Sequence, residues 1–156
     1  MSRQSAAQSL WNKLSNKPAG KWLFSRFVCW KVPYFASISP QIHELRPGYC
    51  EVHVKKRRKV YNHLKTVHAI ACCNMAEMAA GMLTDVSIPA THRWIPKGME
   101  VEYLLKAGSD LKAVAEIPTD HVFTDAAELP VTVNVTNTLG EVVVRANIRM
   151  WVTLRR

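Results

Sequence analysis

The stretch YNHLKTVHAIACCNMAEMAAGM, residues 61–82, decides the fold. After Val67 it consists mainly of small and apolar residues, which predict one buried helix over about residues 67–83 with Thr66 as its N-cap. One acid, Glu77, interrupts this run, and a carboxylate is rarely placed in a buried helix without a partner or a function. The stretch therefore predicts both a central helix and a chemically important group on it.

The segments on either side of this helix predict strands. Residues 42–60 alternate polar and apolar side chains around the turn sequence RPGY, which indicates a hairpin. From Arg93 onward the chain is strand-like, in GMEVEYLLKA, DLKAVAEI, LPVTVNVTN and the long alternating segment after TLGE. Hairpin turns at KAGSD and NTLGE would join neighbouring strands. Together these elements predict an α+β fold, in which a curved antiparallel sheet wraps around one long central helix.

The N-terminal part of the chain predicts helices of a different kind. Residues 1–38 form an N-terminal helical extension, and residues 39–156 form the main domain. Leu10, Trp11 and Leu14 recur at helical spacing, and a second apolar stripe runs from Trp22 to Trp30. We expect a packed helix pair, or one that covers a dimer contact. The composition, rich in Ser and in Lys or Arg, also suits a transit peptide or a helix on a membrane surface.

Composition limits the classes of protein to which the chain can belong. Its 156 residues, with 48% hydrophobic and 21% charged residues, suffice for one globular domain and exclude a disordered protein. No apolar run is long enough to form a transmembrane segment. The cysteines have no metal-ligand spacing, so we expect no metal, no disulfides and a reducing, cytoplasmic compartment. They are Cys29, Cys50, Cys72 and Cys73.

Positive charge is concentrated at one end of the chain. Residues 1–61 carry 12 Lys and Arg against 2 Asp and Glu, whereas residues 62–156 carry 9 against 10. The excess includes the run KKRRK, Lys55 to Lys59. Such a patch attracts nucleic acid, an anionic membrane or a nucleotide-containing cofactor, although a solvated surface is the plainer interpretation. No recognition helix or aromatic stacking pattern accompanies the run, so no nucleic acid is expected as a partner.

The order of elements, with NHLKTVHAIACCNMAEMAAG at its centre, resembles the hotdog-fold acyl-CoA thioesterase superfamily. The similarity is greatest to its phenylacetyl-CoA-type branch and to uncharacterised relatives with an N-terminal helical extension. In that family an Asn stands six residues before a His-Gly-Gly, and an Asp or Glu follows nine residues after the His. Asn62, His68 and Glu77 occupy the matching positions. The resemblance covers residues from about 40 to 156, and it implies a hotdog fold and a thioester hydrolase.

Four positions would carry the thioester chemistry. The backbone N–H of Ala69, in the first turn of the helix, would stabilise the oxyanion. Glu77 would act as the general base or the nucleophile, and desolvation by its apolar neighbours suits a base that works near neutral pH. The resemblance implies that Asn62 orients the carbonyl or the water. It also implies that His68 shapes the loop and forms hydrogen bonds near the thioester.

Three positions depart from the pattern of the family. The His-Gly-Gly is here His68-Ala69-Ile70, and Lys65 stands where a Gly usually lies midway between the Asn and the His. The N–H of Ala69 remains available, but Cβ atoms and the Ile70 side chain narrow the space above it. The resemblance therefore predicts a more restricted site than the glycines would give.

Helix geometry indicates that the site needs two subunits. Nine residues at about 100° each place position 68 and Glu77 roughly 180° apart around the helix. One protomer is therefore not expected to aim both groups at the same atom. A homodimer, or a dimer of dimers, solves this if Glu77 of one subunit faces the helix start of the other. The resemblance implies the same assembly.

Further residues are predicted to bind the substrate. Coenzyme A is part of that substrate and is not a separate cofactor. Ile70, with Met75, Met78, Met99 and Tyr103, would line an apolar acyl pocket. Asn74 would either orient the Glu77 carboxylate or pack. The CoA phosphates and nucleotide would meet basic groups at Lys65, the run Lys55–Lys59, His92 and Arg93.

Three other functions stay open. The first is a non-catalytic protein of the same fold that binds acyl-CoA or an acyl carrier. The second is a nucleic-acid binder, which rests on the basic segment alone. The third is a dehydratase or hydratase of the same fold, which would use a His and an acid in one cleft.

Overall fold

The computed structural model describes residues 5–118 and 120–156. Two α-helices precede the sheet, α1 (Ala6–Leu14) and α2 (Gly20–Lys31), and a short 3-10 helix follows them at Pro33–Ile38. The central helix is α3 (Ala69–Ser87). The six strands are β1 (Gln41–Arg46), β2 (Tyr49–Val54), β3 (His92–Tyr103), β4 (Leu111–Glu116), β5 (Ala127–Thr136) and β6 (Val142–Leu154).

The six strands form one antiparallel sheet in the order β1-β2-β4-β5-β6-β3. Gly48, with a φ of 81°, closes the turn between β1 and β2, where the RPGY sequence predicted it. NTLGE joins the neighbouring strands β5 and β6, as expected. The hairpin predicted at KAGSD is wrong, because the two strands that it connects do not pair. β3 pairs with β6, and β4 lies between β2 and β5.

The sheet curves around α3, and the space between them is the core. One face of each inner strand is buried against the helix, as in β6, where buried Val144, Ala146 and Ile148 alternate with exposed Arg145 and Asn147. Met75 and Met78 in α3 are fully buried in this core, so they do not line an acyl pocket. The arrangement is the predicted α+β hotdog fold.

The central helix begins two residues later than predicted. Val67 is still extended, because its N–H donates to the Ala107 carbonyl and it forms a β-bridge with Tyr61. His68, not Thr66, is the N-cap. The helix also continues to Ser87 because no breaker occurs before Pro89.

The N-terminal helices pack on the sheet, as the apolar stripes predicted. Trp11 of α1 meets Phe24 of α2 edge to face, with ring centroids 5.1 Å apart. The Ser25 hydroxyl of α2 accepts a hydrogen bond from the Ile42 N–H of β1 at 2.8 Å. Residues 1–4 of the predicted 1–38 extension lie outside the described residues. None of the described helices is both long and apolar enough to cross a bilayer.

Candidate functional site

A cleft of about 330 Å³ opens at the start of α3, and we call it the helix-start cleft. The loop before α3 forms one wall, and the end of β3 with the residues after it forms the other. Most of the lining is apolar, and Lys106 contributes the charged group. The lining includes Asn62, Leu64, Ala69, Tyr103, Leu104, Leu105, Lys106 and Val144.

The N–H of Ala69 is the polar backbone group of interest in this cleft. His68 has extended backbone, and its Nδ1 accepts a hydrogen bond from the Ile70 N–H at 3.1 Å. The first N–H of an α-helix has no acceptor within the helix. Within the described residues, no hydrogen bond from the Ala69 N–H is present either. The cleft therefore contains a free donor at the positive end of a 19-residue helix.

Asn62 holds the loop that leads to this donor. Its Oδ1 accepts from the backbone N–H groups of Leu64 and Thr66, and its Nδ2 donates to the Thr66 hydroxyl at 2.8 Å. The loop brings Lys65 into the left-handed region, with a φ of 58°. The second Nδ2 hydrogen of Asn62 remains available for a group in the cleft.

Glu77 lies in a second cleft, of about 310 Å³, which we call the carboxylate cleft. Its other walls are residues 96–99 of β3 and Ile148 of β6. The side chain is partly buried, on a helix whose neighbouring residues are mostly buried. Among the described residues, no hydrogen bond or ion pair of the Glu77 carboxylate occurs. The acid is thus accessible from outside the protomer.

The close approach of α3 to β3 places the carboxylate beside the edge of the sheet. Gly81 lies one turn after Glu77, and a Cβ there would meet Cη2 of Trp94 in β3 at 2.9 Å. β3 is one of the two terminal strands of the sheet, with β1 at the other edge, so one side of β3 carries no partner strand in the described part of the chain. Its 12 residues present exposed Ile95, Met99 and Tyr103 at that edge.

A single protomer does not bring the Ala69 N–H and the Glu77 carboxylate together. Ala69 and Glu77 are eight residues apart, or about 12 Å along the helix axis. They line different clefts, and no residue is common to the two linings. His68 is exposed and lines neither cleft. Their joint role therefore stays a prediction that depends on a second subunit.

The structure separates the predicted substrate-binding residues. Ile70 is 55% exposed beside the helix start. Asn74 is buried, and its Nδ2 donates to the Ser37 hydroxyl at 3.1 Å and towards the Tyr34 carbonyl at 3.5 Å. These hydrogen bonds join α3 to the N-terminal segment and do not involve Glu77. Tyr103 lines the helix-start cleft, and its hydroxyl lies 3.4 Å from the Cys73 sulfur.

The predicted nucleotide-binding residues lie in three places. His92 is buried at the other end of α3, beside Thr91 and Asp85, and Arg93 is exposed next to it. Lys65 is exposed in the loop before α3. Within the basic run, Lys55 and Arg57 line a third cleft, of about 570 Å³, which we call the hairpin cleft.

The hairpin cleft contains a cluster that the sequence did not reveal. His43 and His53 stack with ring centroids 3.6 Å apart and ring planes inclined by 11°. Glu51 accepts hydrogen bonds at its two oxygens, from His53 Nε2 at 2.6 Å and from the Tyr49 hydroxyl at 3.0 Å. Glu51 and His53 lie two residues apart on β2, and the pairing of β1 with β2 brings His43 beside them, in a register that the sequence did not define.

This cluster has the residue types of a metal site but not its geometry. Ligand atoms of His43, Glu51 and His53 lie within 4.8 Å of one another. The lone pairs of the two stacked rings lie in nearly parallel planes 3.6 Å apart at the ring centres, whereas ligation requires lone pairs to converge on one point. Lys55 and Arg57 add positive charge to the same cleft. The arrangement therefore supports a hydrogen-bonded network more than a cation.

Burial and charge shift the proton affinities within the cluster. Burial lowers the pKa of His43, and the neighbouring His53 lowers it further. Burial would raise the pKa of Glu51, but hydrogen bonds from His53 and Tyr49 outweigh burial and hold it below 4.5. Burial, with the hydrogen bond to Glu51, raises the pKa of Tyr49 to about 12. The cluster thus favours neutral His43 beside ionised Glu51.

Comparisons with known proteins agree with this architecture. The family model DUF4442, described as a domain of unknown function, matches residues 20–152. A crystal structure from structural genomics shares 49% identity over 96% of this chain and 98% of its own, with a TM-score of 0.83. A probable thioesterase from Pseudomonas aeruginosa shares 20% identity over 89% and 97% of the two chains, with a TM-score of 0.78.

A thioesterase family protein from Silicibacter pomeroyi has the same fold. It shares 17% identity over 84% of this chain and 96% of its own, with a TM-score of 0.70. A search of curated proteins gives no match.

Proposed function

The chain belongs to the DUF4442 family, and we propose that it hydrolyses acyl-CoA thioesters. The observation that carries this proposal is the free Ala69 N–H in an apolar cleft at the start of the central helix. Such a donor is suited to the negative charge that develops on a carbonyl oxygen during acyl transfer. The folds of the thioesterases compared above support the same reaction class.

In the proposed reaction, Glu77 removes a proton from water as the water attacks the thioester carbon. The carbonyl π bond breaks, and the negative charge on its oxygen is stabilised by the Ala69 N–H and the helix dipole. The tetrahedral intermediate then collapses to the carboxylic acid as its C–S bond breaks, and the CoA thiolate takes the proton from Glu77, which returns to its ionised form. Asn62 would supply its remaining amide hydrogen to the carbonyl or the water.

The proposed active site lies between two subunits. β3 presents a free edge of 12 residues, and antiparallel pairing with the β3 of a second copy would satisfy its unpaired backbone groups. The two-fold axis would then place the carboxylate cleft of one protomer near the helix-start cleft of its partner. Glu77 of one chain and Ala69 of the other would act on the same thioester.

The proposed substrate carries an apolar acyl group. Leu64, Leu104, Leu105 and Val144 give the helix-start cleft an apolar lining, and Lys106 provides a cation for the CoA portion. Lys106 belongs to the KAGSD turn, and no pattern in the sequence marks it as a binding residue. The four free thiols fit a reducing compartment such as the cytoplasm.

Replacing the acid tests the proposal. We expect Glu77→Gln to retain the fold and the oligomeric state and to lower thioester turnover by at least about 10²-fold, because the general base is lost. Thiol release from a panel of CoA esters measures the rate. Asp85→Asn changes an acid two turns further along the same helix and serves as the matched control, with turnover close to that of the unchanged protein.

The same assay distinguishes hydrolysis from binding alone. If calorimetry shows that CoA esters bind but no thiol is released, the protein is a binding module and the catalytic proposal is wrong. If Glu77→Gln hydrolyses as fast as the unchanged protein, hydrolysis uses another base.

A further inference from the structure

Helix α2 exposes an unusually large apolar surface, which we call the aromatic face. In this helix and the segment that follows it, more than two-fifths of each of five large side chains is exposed to solvent. The exposed fractions are 53% for Trp22, 48% for Leu23, 42% for Phe27, 71% for Trp30 and 68% for Tyr34. Single exposed apolar residues are common, but a contiguous group of this size indicates a surface that contacts something else.

The aromatic face is not needed for the fold of the protomer. The opposite side of α2 already packs on α1 and β1 through Phe24, Val28 and Cys29, all of which are buried. The exposed helix residues span an arc of roughly 140° centred close to Trp30. A helix that is apolar on both sides is normally covered on both sides. The predicted packing of the helix pair therefore covers only one of the two apolar sides of α2.

Positive charge surrounds the aromatic face. Lys31 places its Nζ over the Trp30 ring, 5.3 Å from the centroid. At the other end of the helix, Trp22 and Arg26 line the hairpin cleft together with Lys55 and Arg57. The basic run KKRRK is thereby continuous with the aromatic face. The chain has no acid before Glu44, and the hairpin cleft is lined by Asp110 against Arg26, Lys55 and Arg57, so this surface has an excess of positive charge.

We propose that the aromatic face of α2 docks on an anionic membrane surface. Tryptophan and tyrosine prefer the interface between lipid headgroups and acyl chains, and basic residues beside them attract anionic lipids. The face is convex, because it lies on the outside of a helix. It can therefore insert between headgroups without a complementary groove in a partner.

A second copy of the chain fits this face less well. In a two-fold contact the same patch meets itself, so Arg26 and Lys31 of one copy would approach the same residues of the other. No acid in residues 1–43 is present to neutralise them. Anionic lipid supplies the missing charge. The docking proposal does not depend on thioester hydrolysis.

Vesicle co-sedimentation of the full chain tests the proposal. We expect binding to vesicles that contain phosphatidylglycerol and much weaker binding to vesicles of phosphatidylcholine alone. Replacing both tryptophans, Trp22→Ser with Trp30→Ser, should lower the partition coefficient by at least about 10-fold. Raising salt from about 0.05 M to about 0.5 M should lower it as well, since it screens the surface charges.

A matched control uses exposed apolar residues elsewhere. Val122 and Leu139 are 78% and 82% exposed, in loops remote in sequence from α2. Val122→Ser with Leu139→Ser should leave the partition coefficient unchanged, and circular dichroism checks that each variant is folded. Equal loss in both double variants would overturn the proposal, as would the same binding to neutral and anionic vesicles.

Sedimentation velocity separates lipid from protein as the occupant. We expect the oligomeric state to be the same before and after the Trp22→Ser and Trp30→Ser changes. If these changes split a larger assembly into smaller ones, the aromatic face is an interface between copies of the chain and the membrane proposal is wrong.

Discussion

Lys65 lies in the loop before α3 with a φ of 58°, in the left-handed region. An L-residue there carries a steric cost of roughly 1–2 kcal/mol, which glycine avoids because it has no Cβ. The loop has this shape because the Lys65 N–H donates to the Asn62 carbonyl and the Thr66 N–H donates to Oδ1 of Asn62. A glycine, which the family resemblance predicts at this position, would adopt the same backbone conformation without that cost.

At the residue scale, we predict that Lys65→Gly raises the free energy of unfolding by about 1 kcal/mol, through relief of the strain. Elsewhere, a change to glycine in a regular element usually lowers it by about 0.5–1 kcal/mol, so the sign of the effect is informative. Urea denaturation measures the change. Lys65→Ala is the control, since it removes the amine but keeps the Cβ, and no gain in stability is expected. A lower free energy of unfolding in both variants would contradict backbone strain at Lys65.

The sequence located the segment that carries the proposed active site but not its hydrogen bonds. The spacing of Asn62, His68 and Glu77 correctly placed a loop, a helix start and an acid on one central helix. It assigned the N-cap to Thr66, however, whose hydroxyl accepts from Asn62 instead. The position of the N-cap depends on the backbone hydrogen bonds of Val67 with Ala107 and of His68 with Val60, and helical periodicity carries no information about them.

At the element scale, the β1–β2 hairpin contains a pH-sensitive cluster. His43 has a pKa below its ordinary 6.5, so in a window below that value the unfolded chain binds a proton that the folded chain does not. Glu51 behaves similarly below 4.5. A state that binds more protons is favoured as the pH falls. Both residues therefore reduce stability on acidification, His43 first and Glu51 at lower pH.

We predict that the unchanged protein loses stability as the pH falls from 7 to about 5, and that His43→Phe weakens this dependence. Phenylalanine retains a ring that can stack on His53 but does not titrate. Thermal unfolding at a series of pH values measures the effect. His63→Gln, at an exposed loop position, is the control and should leave the dependence unchanged. An equally steep loss in His43→Phe would rule out this residue as its source.

Strand pairing shows why the sequence could not predict the whole sheet. Alternation of apolar and polar residues identified the strands, because one face of each is buried. The partner of a strand depends on contacts distant in the chain, and the KAGSD turn suggested a hairpin that does not exist. β3 instead crosses to the far side of β6, where Pro96 and Gly98 flank a bulge opposite Met150 and Arg149.

At the scale of the whole molecule, the groups of the proposed active site lie in two separate clefts of one protomer. The helix-start cleft has the N–H donor, and the carboxylate cleft has the acid. Both clefts adjoin the edge strand β3. The helix-start cleft lies near the end of β3, and the carboxylate cleft lies near its middle. A dimer that pairs these edges would produce two complete sites, each with one contribution from either chain. Two chains with different defects can therefore complement each other, which is impossible when each active site lies within one subunit.

Two inactive variants should restore activity when mixed. Ala69→Pro removes the proposed oxyanion donor, and the first helical position tolerates proline. The extended backbone of His68, with a ψ of 138°, is also the conformation that a following proline requires. Ala69→Gly, which keeps the N–H, should remain active and is the control for the fold. Glu77→Gln removes the acid and keeps the donor.

Each variant alone damages both sites of its homodimer. A mixed dimer has one intact site, formed by Glu77 of the Ala69→Pro chain and Ala69 of the Glu77→Gln chain. Random exchange at equal concentrations makes half of the dimers mixed, so thiol release should recover to about a quarter of that of the unchanged protein. Co-expression with two affinity tags isolates the mixed dimer, whose rate should be about half. If a purified mixed dimer stays inactive, the donor and the acid do not serve one site across the subunit boundary.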